Sequence, residues 1–229
     1  MQRIVLWDVD HTLVENSGVS KEIYASAFKA LAGREAELPA PTEGRTDRAI
    51  MREMFIRHGL PDPDWERAQQ ALEEAGRCSE EDLRRRGHAL PGVEDALKAL
   101  AADPTICSSV LTGNISANAH VKLRAFGLDR LLDMAVGGYG EDSDDRARLV
   151  DAARARIHAA YGIPLLAPTV LIGDTPRDVR AAHDAKAHCI AVASGIHSVA
   201  ELRAAGADVV VPDLTDTEGL LTLLREVLT

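Results

Sequence analysis

A chain of 229 residues, 46% hydrophobic and with a formal charge of −10, can hold one domain with a sizeable core, or a core domain plus a smaller one. With no basic stripe, that acidic balance argues against nucleic acid as a partner, because a phosphate backbone rewards clustered cations. No charged segment precedes a long apolar stretch, and Cys78, Cys107 and Cys189 lack any Cys-x-x-Cys spacing. The expectation is a cytoplasmic protein, monomer or homodimer, with neither membrane span, disulfide framework nor zinc site.

The first element is Arg3-Ile4-Val5-Leu6-Trp7, a short, nearly continuous apolar run of the kind that forms a buried parallel strand. It turns polar at once in Asp8-Val9-Asp10-His11-Thr12-Leu13. From about Asn16 to His88 no comparable strand follows. Ile23, Ala27 and Leu31 recur at helical spacing, as do Ile50, Met54 and His58 with Met51 and Phe55 alongside, and Trp65 to Arg86 reads as charged helix with a solvated face. Breaker chemistry marks both ends of this stretch, Glu15-Asn16-Ser17-Gly18 and Gly87-His88-Ala89-Leu90-Pro91-Gly92. Residues 16–88 are therefore expected to be an insertion between two parts of one sheet domain, 1–15 and 89–229.

Further strand-like runs lie near Val110, Ala135, Val170, Ile190 and Val209, alternating with helical patterns. The fold class expected is α/β, a doubly wound parallel sheet. Ser198-Val199-Ala200-Glu201 reads as a capping box, Gly127 and Gly206 as helix stops, and Leu220, Leu221, Leu224 and Leu228 as a core-facing stripe. The Val110 run ends in Thr112-Gly113-Asn114. The Val170 run ends in Gly173-Asp174-Thr175-Pro176-Arg177-Asp178. Three strands thus deliver Asp8, Thr112 and Asp174 to one edge of the sheet, the edge where open α/β sheets bind ligands.

In these motifs the chain resembles the haloacid dehalogenase-like superfamily of phosphotransferases. Asp8 and Asp10 fit its D-x-D-x-T, Thr112 its hydrophobic strand followed by Thr, and Asp174 with Asp178 its G-D-x-x-x-D, in the same order along essentially the whole chain. The resemblance implies a Rossmann-like core with a helical cap domain, in the branch of phosphoglycolate phosphatases and beta-phosphoglucomutases. One element departs from it. The superfamily usually has a lysine between its second and last motifs, and Lys122 follows Thr112 too closely, so Arg146 or Arg148 is expected in that role.

The chemistry implied is metal-assisted. A carboxylate approaching a phosphate is repelled, and Mg2+, which favours oxygen ligands, offsets that charge. Asp8, the backbone carbonyl of Asp10 and Asp174 are the expected ligands, with Asp178 completing or orienting the set. Asp8 then acts as nucleophile and Asp10, its side chain free, as acid and base. Thr112 and the amides near Gly113 and Asn114 are expected to bind phosphoryl oxygens, Arg146 to act as fixed cation, and Arg45 to contact an anionic group of the substrate. Thr46 reads as an N-cap, Arg48 as a solvated charge, and His11 as packing at its loop. The leading function is a magnesium-dependent phosphatase of a small phosphate ester. A phosphomutase is the alternative, dehalogenation is disfavoured by Asp10, and a non-catalytic binding protein would be expected to lose a carboxylate.

Overall fold

Strand β1 (Arg3–Trp7) runs through the interior of a five-stranded, all-parallel sheet in the computed structural model, which describes residues 2–228. It pairs with β4 (Ile106–Val110) on one side and β5 (Thr169–Gly173) on the other. β6 (His188–Val192) and β7 (Val209–Val211) extend the sheet to give the order β4-β1-β5-β6-β7. The chain leaves β1 to one side and returns on the other, and at such a reversal the carboxyl ends of neighbouring strands open a crevice. Trp7 lies opposite both Val110 and Ile172, so the segments after all three strands leave the sheet at one level.

Both faces of the sheet are covered, as the unbroken apolar strand requires. Val5 and Trp7 pack with α5 (Val93–Ala101), α6 (Ser116–Ala125) and α10 (Thr217–Val227). Ile4 and Leu6, pointing the other way, pack with α7 (Arg146–Tyr161), α8 (Pro176–Asp184) and Leu202 of α9 (Val199–Ala204). Leu220, Leu224 and Leu228 are buried and Leu221 packs partly buried beside them. The Ser198–Glu201 capping box forms, and Gly127 and Gly206 take left-handed conformations just past helices. No described helix is long and apolar enough to cross a membrane.

The strand expected near Ala135 is absent. Met134–Val136 is instead a 3-10 turn, nucleated by the Asp133 side chain, which accepts from the Ala135 N–H. Gly137 and Gly138 follow immediately, and pairing with the sheet shrinks to a bridge between Leu111 and Gly138. The apolar side chains of Met134 and Val136 are buried without any ladder to extend.

Between β2 (Val14–Glu15) and β3 (His88–Ala89), which pair antiparallel, lie four helices: α1 (Val19–Ala32), α2 (Asp47–Arg57), α3 (Trp65–Cys78) and α4 (Glu80–Arg86). Their apolar faces meet around Phe28, Met51, Met54, Leu72 and Leu83, and the same cluster takes in Ile115 and Val121 at α6. The charged run of α3 and α4 forms exposed ion pairs such as Arg77–Glu74 and Arg84–Glu80. Thr46 caps α2 by accepting from the Ala49 N–H at 3.4 Å. Arg48 departs from expectation. Its guanidinium lies over the Trp65 ring and 3.5 Å from Asp144.

Asp47, the first residue of α2, ties the helical segment to the loop after β4. Its N–H donates to the Gly113 carbonyl at 2.7 Å, and its carboxylate accepts from the Ile115 N–H at 2.8 Å and the Tyr24 hydroxyl at 2.5 Å. The approach is close enough to require glycine: a Cβ on Gly113 would fall 2.0 Å from the Arg45 carbonyl oxygen.

Candidate active site

The residues that follow the three strand ends converge on a cavity of about 190 Å³ whose walls include Asp8, Asp10, Thr112, Arg146 and Asp174. Asp8 is buried at the end of β1, its N–H donating to the Ile172 carbonyl. Oxygens of Asp8, Asp174 and Asp178 lie within 4.8 Å of one another. One guanidinium enters this group. Arg146 is 2.9 Å from Asp8 and donates to Asp178 through Nε at 2.9 Å and Nη2 at 2.5 Å. Burial raises the Asp8 carboxyl to about 6, against the pull of Arg146 and with help from Asp178 and Asp10. Asp174 is pushed well above the usual carboxylate range by burial and by Asp178 and Asp8, and the Thr12 hydroxyl donates to it at 3.3 Å. Asp178 is saturated: one oxygen takes Arg146, and the other accepts from the Thr175 N–H and hydroxyl in the capping box of α8.

Asp10 is held by a second cation. Lys122 of α6, 1% exposed, donates to both its oxygens at 2.7 and 2.8 Å. Asn114 and Asn16 add donors at 2.8 Å each, and the Ser20 hydroxyl a longer one at 3.3 Å. Burial pushes the Asp10 carboxyl up, but Lys122 and Asn114 outweigh it and bring it down to about 2.

The geometry is that of a family already suggested by the motifs. The haloacid dehalogenase-like hydrolase family matches residues 5–183. The chain belongs to this family. Its fold is shared with a hydrolase from Pseudomonas syringae, at 23% identity, full coverage of both chains and a TM-score of 0.69. It is shared too with the CbbY protein from Rhodobacter sphaeroides in complex with phosphate, at 21% identity, 94% and 96% coverage of this chain and that one, and TM-score 0.67. A predicted phosphoglycolate phosphatase from Haemophilus somnus is 18% identical, with coverage of 96% and 98% and a TM-score of 0.65. No curated protein matches the chain.

Several expectations for this family member change. Lys122 is in the site despite its nearness in sequence to Thr112, because α6 carries it, with Asn118 and Ile115, on the helix face that turns inward. A lysine and an asparagine four apart on a buried face were the legible signal. Arg146 is also in the site, while Arg148 is 74% exposed beside Asp145. Asp10 is not free. Of the two backbone amides expected to bind phosphoryl oxygens, the Asn114 N–H is spent on the Thr112 hydroxyl, and the Gly113 N–H has no protein acceptor among the described residues. Thr112 is buried, its hydroxyl accepting from Asn114. Arg45 lines the cavity. His11 lines it as well, with φ 61°, and its Nδ1 lies 3.0 Å from Glu15.

Arg146→Ala should lower kcat/KM toward a small aryl phosphate by about a hundredfold or more, as loss of an aimed cationic donor does elsewhere. Arg148→Ala should stay near the parent value, and the opposite ranking would assign the role to Arg148.

Asp47 gives a second expectation. Burial raises its carboxyl to about 6, although Tyr24 and Ile115 donate to it. The folded protein then holds this proton more tightly than the unfolded chain does. Its contribution to stability is complete below about pH 4 and is lost as pH rises through about 6, on the order of 3 kcal/mol for a shift of that size. Asp8 and Asp174 add slope of the same sign, so the comparison is between proteins: denaturant titrations from pH 4 to 7 should show a shallower decline in Asp47→Asn than in the parent. Parallel curves would contradict the assignment.

Proposed function

We propose that this member of the family is a magnesium-dependent phosphatase of small phosphate esters that forms an aspartyl-phosphate on Asp8. The observation that carries the reading is that Asp8 and Asp10 open on one cavity, Asp8 beside Arg146 and Asp10 backed by the buried Lys122, a nucleophile and a proton-transfer group each with its own cation. The donor set also fits a divalent ion. Asp8, Asp174 and Asp178 are three buried carboxylates with one guanidinium among them, and among the described residues Asp174 accepts a side-chain hydrogen bond only from the Thr12 hydroxyl, with Arg146 acting on it at longer range. Asp8, Asp174 and the Asp10 carbonyl would hold Mg2+, with Asp178 orienting through Arg146 and Thr175. Bound there, the ion supplies positive charge to the phosphoryl oxygens.

This chain's residues then divide two displacements at phosphorus. The Asp8 carboxylate attacks while Asp10 gives its proton to the leaving oxygen. Water next attacks the aspartyl-phosphate and Asp10 takes its proton. Ionised against Lys122, Asp10 is ready for the second step. The first requires it to turn away from Lys122 and Asn114 and gain a proton. Thr112 and the free Gly113 N–H face the phosphoryl group, and Arg146 neutralises it. Residues 16–88 act as a cap over the strand ends, Arg45 on it contacting the leaving group, with 1–15 and 89–229 as the catalytic core.

Hydrolysis of a generic aryl phosphate should require Mg2+ and be abolished in Asp8→Asn. Asp10→Asn should lose about a hundred- to ten-thousandfold. Phosphate release surviving in a folded Asp8→Asn protein would overturn the mechanism. A phosphomutase would instead isomerise a sugar phosphate and release little phosphate.

A further inference from the structure

The turn after Asp10 places a histidine where its backbone favours glycine. His11 sits at φ 61°, one of three non-glycine residues at positive φ among those described. Of the others, Lys186 follows α8 as a helix stop, and Ser17 adjoins Gly18 at the start of the helical segment. Glycine takes the left-handed conformation at no steric cost, so a larger side chain held there is an outlier that points to a role for that side chain. The turn itself does not need the imidazole. Main-chain bonds close it: the His11 N–H donates to the Val14 carbonyl at 2.8 Å, and the Leu13 and Val14 N–H groups donate to the Val9 carbonyl at 2.9 and 3.0 Å.

The imidazole does not belong to the core either. It is 39% exposed and lies on the wall of the catalytic cavity. Nor is it loose. Nδ1 donates to Glu15 Oε2 at 3.0 Å, and Glu15 is held in turn, its other oxygen accepting from the Ser17 N–H at 2.6 Å. The loop after β6 closes in beside it. The Ser194 hydroxyl donates to the His11 carbonyl at 2.5 Å, and a Cβ on Gly195 would fall 3.3 Å from His11 Cβ and 1.9 Å from Asp174 Oδ2. A carboxylate only accepts, so Nδ1 carries the proton shared with Glu15 and Nε2 is the ring's remaining polar atom. It meets no partner among the described residues. A partly exposed histidine–carboxylate pair adds little to stability, and what the arrangement secures is the orientation of the ring.

We propose that His11 is a substrate-contacting residue of the catalytic core, its Nε2 hydrogen-bonding a hydroxyl that the leaving group carries close to the scissile oxygen. Asp10, immediately before it, serves the scissile oxygen, so the adjacent side chain on the same wall meets the next atoms of the leaving group. A hydroxyl both donates and accepts, and therefore satisfies Nε2 whether or not the ring carries a second proton. Ile196, 67% exposed on the same wall, offers apolar contact to the carbon skeleton. The leaving group is then selected from the sheet side as well as from the helical segment. This rests on the phosphatase reading and adds to it a residue that reads the substrate.

The test compares the monophosphates of ethylene glycol and glycerol with ethyl and propyl phosphate, in the parent and in His11→Gly, a substitution the backbone accepts. For at least one pair the parent's kcat/KM should favour the hydroxylated ester by about five- to tenfold, the range expected of one hydrogen bond. In His11→Gly that ratio should fall to near one, with a melting temperature at or above the parent's because the left-handed backbone no longer carries a side chain. Glu15→Ala should lower the ratio partway, since it frees the ring to turn. No preference in the parent, or a preference kept in His11→Gly, overturns the proposal and leaves the phosphatase standing. A ratio lost only together with a lower melting temperature overturns it too, since the ring then belongs to the fold. Should the parent release phosphate from none of these esters, the phosphatase reading falls, and calorimetric Kd values for the same pairs decide the contact. A hydroxyl preference present in the parent and absent in His11→Gly keeps it, and any other result removes it.

Discussion

Four carboxylates brought to one end of one sheet cannot all remain charged and unpartnered, and the arrangement around them answers that constraint. Arg146 bridges Asp8 and Asp178, Lys122 grips Asp10, and Thr175 caps what remains of Asp178. Among the described residues Asp174 accepts a side-chain hydrogen bond only from Thr12, with Arg146 attracting it from farther off. The cost of carrying negative charge is thereby greatest at Asp8 and Asp174, beside the cavity, where both carboxyls are raised by burial and by their acidic neighbours. The acidic edge is a site because its compensation is incomplete.

The two cations depend on the carboxylates in return. Lys122 and Arg146 are buried at 1% and 8% exposure, positions an unpaired charge could not hold without several kcal/mol of desolvation cost. Each comes from a helix on a different face of the sheet, α6 on one and α7 on the other, so the site is clamped from both sides of β1. Replacing either an acid or its cation leaves a buried charge behind, which couples the fold of these helices to the chemistry.

The parallel strands and the residues at their ends were legible because one short apolar run followed by Asp, Thr or Gly-Asp is a local pattern that parallel pairing then brings together in space. Arg146 could be singled out only as a cation in the right interval, alongside Arg148, since nothing in Arg146-Ala147-Arg148 tells which side of α7 faces the sheet. Lys122 pairs with Asp10 rather than Asp8, a place that spacing along the chain does not reveal. Six residues into α6 is about 9 Å of rise, and a lysine stem folded back along the inner face covers the distance to Asp10. The run near Ala135 has strand composition, but Gly137 and Gly138 follow it at once and pairing with the sheet is limited to one bridge. Tyr24 and Asp47 were invisible for another reason: their partnership joins two helices and a loop 68 residues onward, and no spacing encodes it.

That last connection bears on how the site works. The donors that hold Asp10 come from both sides of the cleft: Asn16 and Ser20 from the start of the helical segment, Asn114 and Lys122 from the region after β4. Asp47 links the same two regions through Gly113 and Ile115. A displacement of the helical segment therefore withdraws donors from Asp10 and pulls on the loop that carries Asn114, and each loss raises the affinity of Asp10 for a proton. In the proposed mechanism Asp10 is an acid in one step and a base in the next, and the contacts that hold it are ones a movement of the helical segment would change. In that mechanism its protonation state would be coupled to the position of the helical segment.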